Sequence, residues 1–299
     1  MAIPMIHHPG YTIELPERHP FPMRKFRVLR EQLATPAIDR VADWMQPEPA
    51  ERAMLARAHK PEYIDAFLTG RTDPTAQRRT GFRWSEDLVE RVRLETAGTV
   101  LAVEAALAQR LALNTAGGTH HAHADAGSGY CLINDIAVAA RHALACGWAK
   151  RILVVDLDVH QGDGTAGLFE DEPAVFTFSM HAGTNFPARK RQGDLDIALD
   201  KGVSDAEYLR ILENTLPRLL SEFNPDLVIY DAGVDVHTLD RLGHLDLSDE
   251  GITRRDTYVL QTCREGSIPV AGVIGGGYDR DIGALAQRHS RLFTAAATL

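Results

Sequence analysis

Cysteine is scarce: three residues in 299, Cys131, Cys146 and Cys263, none of them in a CxxC pair. That excludes a disulfide framework and a cysteine-built zinc cage. Long apolar runs are missing too. No stretch of about 18 apolar residues occurs, so a membrane span is not expected. The opening Met-Ala-Ile-Pro-Met-Ile-His-His has neither the basic segment nor the apolar stretch of a secretory leader. Basic charge is outweighed, with Lys+Arg 32 against Asp+Glu 41 and a formal charge of −9. An acidic surface argues against nucleic acid as the main partner, because phosphate binding asks for a basic face. Repeats, low-complexity tracts and long linkers are absent. What is there is 44% hydrophobic and 24% charged residues. That is enough for a sizeable core, and the expectation is a soluble, cytoplasmic, single domain over 1–299.

Five prolines among the first 23 residues (Pro4, Pro9, Pro16, Pro20 and Pro22) predict no regular element there. Helical periodicity begins near Met23 and returns over 50–69, 85–110, 132–147, 204–222, 249–265 and 281–297. In the 204–222 stretch Ser204 and Asp205 are capping types, and Tyr208, Leu212, Leu216 and Leu219 share a face. Pro217 should bend that helix or mark its last turns. Between the helical stretches lie continuous apolar runs at 151–157, 174–180, 227–232 and 269–274. Apolarity without alternation is what strands covered on both faces require, and strands alternating with helices imply a mostly parallel sheet. The fold class expected is therefore α/β, three layers deep (α/β/α), with ligands bound beyond the carboxyl ends of the strands.

Polar residues gather at those ends. Asp156-Leu157-Asp158-Val159-His160-Gln161-Gly162-Asp163-Gly164 lies at the end of the first run, Asp231-Ala232-Gly233-Val234-Asp235 at that of the third, and Gly275-Gly276-Gly277-Tyr278 after the fourth. Another short stretch, Leu113 to Ala116, leads into Gly117-Gly118-Thr119-His120-His121. Asp158 and His160 are two apart on an extended strand end, so they point to the same side. With Asp235 from another strand end they make a three-ligand set for a divalent metal, leaving a position open for water. Asp156 and Asp163 suit carboxylates that orient the imidazoles, and His120 and His121 suit proton transfer. Tyr278, on its glycine-rich turn, can donate to a developing oxyanion. Together these groups describe a metal-dependent hydrolase acting on a carbonyl.

Taken singly, an Asp-x-His or His-His pair is more often structural than functional. His7, His8 and His19 read as loop residues, Asp125 as a loop carboxylate and Cys131 as buried packing. Arg78-Arg79 and Arg189-Lys190-Arg191 read as solvated faces.

On the strand-end residues the chain resembles the zinc-dependent histone deacetylase family of the arginase/deacetylase superfamily. The matching stretches are Gly117 to Ala122, Gly129 to Asp135, Asp156 to Gly164, Phe176 to His181, Asp231 to Asp235 and Gly275 to Tyr278, in the family's order. Leu15 to Met23, Asn185-Phe186-Pro187 and Asp194 to Ile197 look like the class IV branch and its bacterial relatives. The resemblance implies zinc on Asp158, His160 and Asp235, His120 hydrogen-bonded to Asp156, and His121 paired with Asp163 as general base and then acid. It implies Tyr278 at the amide carbonyl, an acyl-lysine tunnel walled by Gly129, Tyr130 and Phe186, and Leu242 at the rim. A structural potassium ion would take backbone oxygens of Asp156, Asp158, His160 and Met180 together with Ser179. Thr119 and Gln161 stand where eukaryotic class I members commonly carry Trp and a second His, and the His181–Phe186 loop is shorter than theirs.

The function expected is removal of an acyl group, acetyl or longer, from the ε-amine of lysine in proteins or peptides. Gly117, Gly118 and Gly275 to Gly277 have no side chains to fill the tunnel floor, which is compatible with long acyl chains. The alternatives are a deacetylase of acetylpolyamines or other small acylated amines, and a catalytically silent acyl-lysine-binding protein. Two carboxylates and one imidazole also tolerate Fe(II) or Co(II). The oligomeric state is left open, a homo-oligomer included.

Overall fold

The computed structural model describes residues 2–299. Its strands are β1 (Ile3–Ile6), β2 (Ala42–Met45), β3 (Leu111–Asn114), β4 (Ile152–Asp156), β5 (Val175–Ala182), β6 (Leu195–Leu199), β7 (Leu227–Asp231) and β8 (Val270–Val273). They form one eight-stranded sheet in the order β2-β1-β3-β8-β7-β4-β5-β6. Every pairing is parallel, which gives the α/β architecture expected. The central strands β4, β7 and β8 are buried at every residue, as a sheet covered by helices on both faces demands.

Helices carry the crossovers: Glu86–Gln109 leads into β3, Asp135–Ala145 into β4, Asp205–Phe223 into β7 and Asp249–Glu265 into β8. Their starts follow from local chemistry. The side chains of Ser85, Asn134 and Ser248 accept from the backbone N–H groups of Leu88, Ala137 and Gly251, satisfying donors that the first helical turn leaves free. Ser85→Ala should cost about 1 kcal/mol, seen as a lower urea midpoint at unchanged slope. An unchanged midpoint would mean that Leu88 N–H has another acceptor.

The proline-rich start departs from expectation. β1 contains Pro4 and pairs with β2 over Ile3–Ile6. Ile3 N donates toward β2 at Val41 O, so Pro4, one residue on, turns its missing N–H toward β3. Pairing with β3 starts only at Met5, past the proline. The 50–69 stretch is two helices, Arg52–Leu55 and Pro61–Leu68, because Pro61 suits a first helical turn and not an interior. The 204–222 stretch is a helix at Asp205–Phe223 with Pro217 in its closing turns.

The topology sets four carboxyl ends side by side in mid-sheet: β3, β8, β7 and β4. In the ladders Asp156 faces Asp231 on one side and Ser179 on the other.

Candidate active site

Beyond β4 the chain turns so that its own backbone aims the carboxylates. Asp158 Oδ1 accepts from His160 N at 2.8 Å, and its Oδ2 accepts from Gly276 N at 2.8 Å. Asp235 Oδ1 accepts from Val159 N at 2.9 Å. His160 Nδ1 then lies 3.0 Å from Asp158 Oδ1 and 3.2 Å from Asp235 Oδ2. The three side chains are buried, and each offers one ligand atom within 4.8 Å of the others. Apart from His160, Asp235 Oδ2 has no partner. Gly276 is required here, because a Cβ at that position would run into Asp235 Oδ2 and Asp158 Oδ2. Burial pushes the Asp235 pKa up, and the charge of Asp158 adds to it. Burial opposes a charged His160, yet its bonds to Asp158 and Asp235 outweigh that and hold its pKa at about 10. Two carboxylates pulling on one imidazole nitrogen in a buried cradle exert the pull that a divalent cation would feel. The donor set of oxygen and imidazole fits one.

Beside this cradle His120 and His121 lie in contact, ring centroids 4.2 Å apart and planes tilted by 55°. His120 Nδ1 lies 2.7 Å from Asp156 Oδ2, and His121 Nδ1 lies 2.6 Å from Asp163 Oδ1. Their electrostatics diverge. Burial disfavours charge on His120, but Asp156, Asp158 and Asp231 outweigh it and hold its pKa well above the ordinary value. His121 is pressed down to about 3 by burial and by the neighbouring His120. Burial would raise Asp163, but hydrogen bonds from His121 and His123 hold it below the usual carboxylate range. A carboxylate there only accepts, so neutral His121 carries its proton on Nδ1 and keeps Nε2 as a base.

Aromatic walls rise over this floor. Gly129 (φ 52°) and Tyr130 (φ 68°) are the central pair of a two-residue turn closed by Ser128 N to Cys131 O at 2.9 Å and Cys131 N to Ser128 O at 2.8 Å. Both positive φ values are the signature of a tight hairpin turn, and they present the Tyr130 ring to the cavity. A Cβ on Gly129 would press on His121 and Phe186. Phe186 meets His121 edge-on at 4.8 Å, and Tyr278 lies 5.7 Å from Tyr130. His121, His160, Gly129, Tyr130, Phe186, Leu242 and Tyr278 all line one cavity of about 480 Å³, with Leu242 exposed at its mouth. Burial, with Asp235 and Asp158 nearby, raises the Tyr278 pKa well above that of a free phenol. It is therefore a hydrogen-bond donor at neutral pH.

The glycines behind the site are closely packed. A Cβ at Gly118 would collide with Gly275, and one at Gly277 would lie 2.7 Å from Val234 and 2.8 Å from His289. The absence of a Cβ at Gly118 lets its loop approach the Gly275 backbone, and there is no room for one at Gly277. Of the residues expected to hold a monovalent cation, Asp156 and Ser179 are ladder partners on β4 and β5, Met180 follows Ser179 within β5, and Asp158 and His160 follow just beyond β4. His7 and His8 hydrogen-bond within the N-terminal region and to Thr115. Asp125 pairs with exposed Lys60 at 2.7 Å, and Cys131 is buried.

Several functional neighbours escape sequence reasoning. Asp135 accepts from Gly118 N and Thr119 N and so shapes the turn that carries the histidines. His123 lies 3.3 Å from the second oxygen of Asp163. Asp240 Oδ2 accepts from Tyr278 N, and its Oδ1 accepts from Leu242 N and Gly243 N. Buried Lys25 donates from Nζ to Gly275 O at 3.0 Å, and burial lowers its pKa to about 8 against the pull of Asp235 and Asp158. Asp231 is fully buried with neither oxygen partnered, so burial and Asp156 drive its pKa far up. Only Asp135 and Asp231 lie inside the motif stretches. Lys25 and Gly275 are 250 positions apart, and nothing local links them.

Comparison with known proteins bears on the family and the fold. The family described as histone deacetylase domain matches residues 19–294. An uncharacterized protein of Picosynechococcus is 49% identical over 99% of both chains. Histone deacetylase 2 of Arabidopsis thaliana is 29% identical, covering 92% of this chain and 74% of that one. Histone deacetylase clr6 of Schizosaccharomyces pombe is 29% identical over 87% of this chain and 68% of its own length. The crystal structure of the HDA15 HD domain superposes with a TM-score of 0.84 over 100% of this chain and 90% of that chain, at 23% identity, a likeness of fold. No helix among the described residues is long and apolar enough to cross a membrane.

Proposed function

Because the chain belongs to the histone deacetylase family, we propose that it is a metal-dependent amidohydrolase removing a short acyl group from the ε-amine of lysine. The observation that carries this reading is the convergence, at one cavity, of the Asp158–His160–Asp235 cradle, a neutral His121 and the Tyr278 phenol. Zinc is the ion that the donor set suits best, with Fe(II) and Co(II) as competitors, and potassium would take the oxygens at Asp156, Asp158, His160, Ser179 and Met180. A divalent ion bound in the cradle supplies Lewis-acid polarisation and lowers the pKa of water.

The chain's own groups do the rest. His121 Nε2 takes the proton of the attacking water, and Asp163 steadies the resulting imidazolium through Nδ1. The Tyr278 hydroxyl donates to the carbonyl oxygen as negative charge develops on it. His120 is held by Asp156 through Nδ1 beside the reacting atoms. His121 then returns its proton to the leaving amine. Tyr130 and Phe186 exclude water from the apolar stem of the lysine. A complete set of proton-transfer groups goes beyond what mere acyl-lysine binding requires.

The close packing at Gly118 and Gly277 supports acetyl over long chains. In one peptide, kcat/KM should fall from acetyl- to octanoyl- to myristoyl-lysine, by at least about tenfold at the first step, because overpacking is costly. A rise with chain length would mean that the floor opens on binding. The whole reading is tested by metal-loaded protein on acetyl-lysine peptides. Absence of turnover with one tightly bound ion per chain would sink it.

A further inference from the structure

The Arg78-Arg79 run is exposed, but it is not idle surface. It ends the helix Pro74–Thr80 and lines the mouth of the tunnel, and Arg241 lines the mouth as well. Both segments are tied to the tunnel walls. Arg79 O accepts from Gly129 N at 3.2 Å, and Arg241 N donates to Tyr278 O at 3.0 Å. Among the described residues no carboxylate pairs with any of the three guanidinium groups. Arg78 only donates to the Thr75 hydroxyl, at 2.8 Å. Nearby carboxylates are engaged elsewhere, Asp73 by Thr75 N and Ala76 N, and Asp240 by the backbone of Tyr278, Leu242 and Gly243. No Asp or Glu lines the mouth, in a chain whose net charge is −9. Asp73 is close enough to feel the charge of Arg78, and Arg241 also borders a cavity that Glu14, Glu17 and Asp279 line. None of these carboxylates forms an ion pair with the three arginines or lines the aperture, so three guanidinium groups around it focus a positive field on whatever lies just outside.

We propose that the natural substrate carries negative charge on the amine side of its scissile amide, within reach of Arg78, Arg79 and Arg241. This rests on the amidohydrolase reading and narrows it. The charge is a carboxylate, on an acidic residue flanking the acyl-lysine or on a small acylated amine itself. Guanidinium forks hold carboxylates through paired N–H donors. An acetylated polyamine, cationic along its length, meets repulsion at the same mouth.

The test uses metal-loaded enzyme at low ionic strength. It compares acetyl-lysine peptides identical except for Asp, Ala or Lys flanks, free Nε-acetyl-lysine against its α-amide, and N-acetylspermidine. Both kcat/KM and the Kd of labelled peptides by fluorescence anisotropy are read. Asp flanks should beat Lys flanks by roughly tenfold or more, and salt should erode the ratio. A triple Arg→Ala variant (Arg78, Arg79, Arg241) should bring the ratio close to one, and the triple Arg→Lys variant, which keeps the charge but not the fork, should retain only part of it. A gain confined to the free α-carboxylate would assign the charge to a small substrate. Equal or tighter binding of Lys-flanked peptide or acetylspermidine overturns the proposal. An intact charge preference in Kd without any turnover would leave it standing and count against the amidohydrolase reading alone.

Discussion

Asp235→Ala should retain no divalent metal through dialysis and should hydrolyse acyl-lysine peptides at the background rate. Asp235 supplies one of only two carboxylates in the cradle, and the oxygen that faces His160 has no other partner. Its second oxygen holds Val159 N, the link between the other two ligands, so truncation also loosens the turn that aims them. Two ligands on a loosened turn hold a metal far less well than three fixed ones. Asp235→Asn separates the effects, because an amide oxygen can still accept from Val159 N while the charge is gone. Elemental analysis should find about one ion per chain in the parent protein and none in either variant. Full activity in a chelated, metal-free preparation would overturn the mechanism.

Tyr278→Phe should lower kcat by roughly 10²–10³-fold, the usual effect of deleting one oxyanion donor. The ring would stay packed against Tyr130 and Phe21 and near His160, at centroid distances of 5.7, 6.5 and 6.4 Å. Metal content, melting temperature and KM should therefore barely move. That split assigns the hydroxyl to the transition state and not to ground-state binding. A variant turning over within about twofold of the parent would reduce Tyr278 to a wall of the tunnel.

The central strands are legible because their two-sided burial leaves a mark: Ile152 to Asp156 and Leu227 to Asp231 are apolar without a break until the terminal aspartate. The outer strands leave none. Ala42–Met45 and Leu195–Leu199 are only four and five residues long, are partly exposed, and are each broken by an aspartate, so no continuous apolar run marks them. β1 was hidden by Pro4, which a strand tolerates only where a neighbour has yet to pair. Within the site, the metal-ligand chemistry of Asp158 and His160 is written in a spacing of two. The pairing of His120 with Asp156 spans 36 positions and became readable only through likeness to a family. Lys25, His123 and Asp240 act through contacts that no local pattern encodes. The arginines at the mouth are indistinguishable in sequence from Arg189 and Arg191, because what sets them apart is the aperture beside them.

Asp240 has a consequence for how such a protein can change over generations. One carboxylate grips the backbone of Tyr278 with one oxygen and the backbone of the rim at Leu242 and Gly243 with the other. The segment that screens incoming molecules and the segment that bears the reactive phenol are thus fastened to a common post. Insertions or swaps in 238–243 that retune the screen will also displace the phenol, so their effects will not add. Lineages that alter diet at this mouth are expected to exchange exposed side chains such as Arg241 and Leu242 while keeping loop length and Asp240 fixed. The same restraint tells an engineer to diversify tips and leave the post alone.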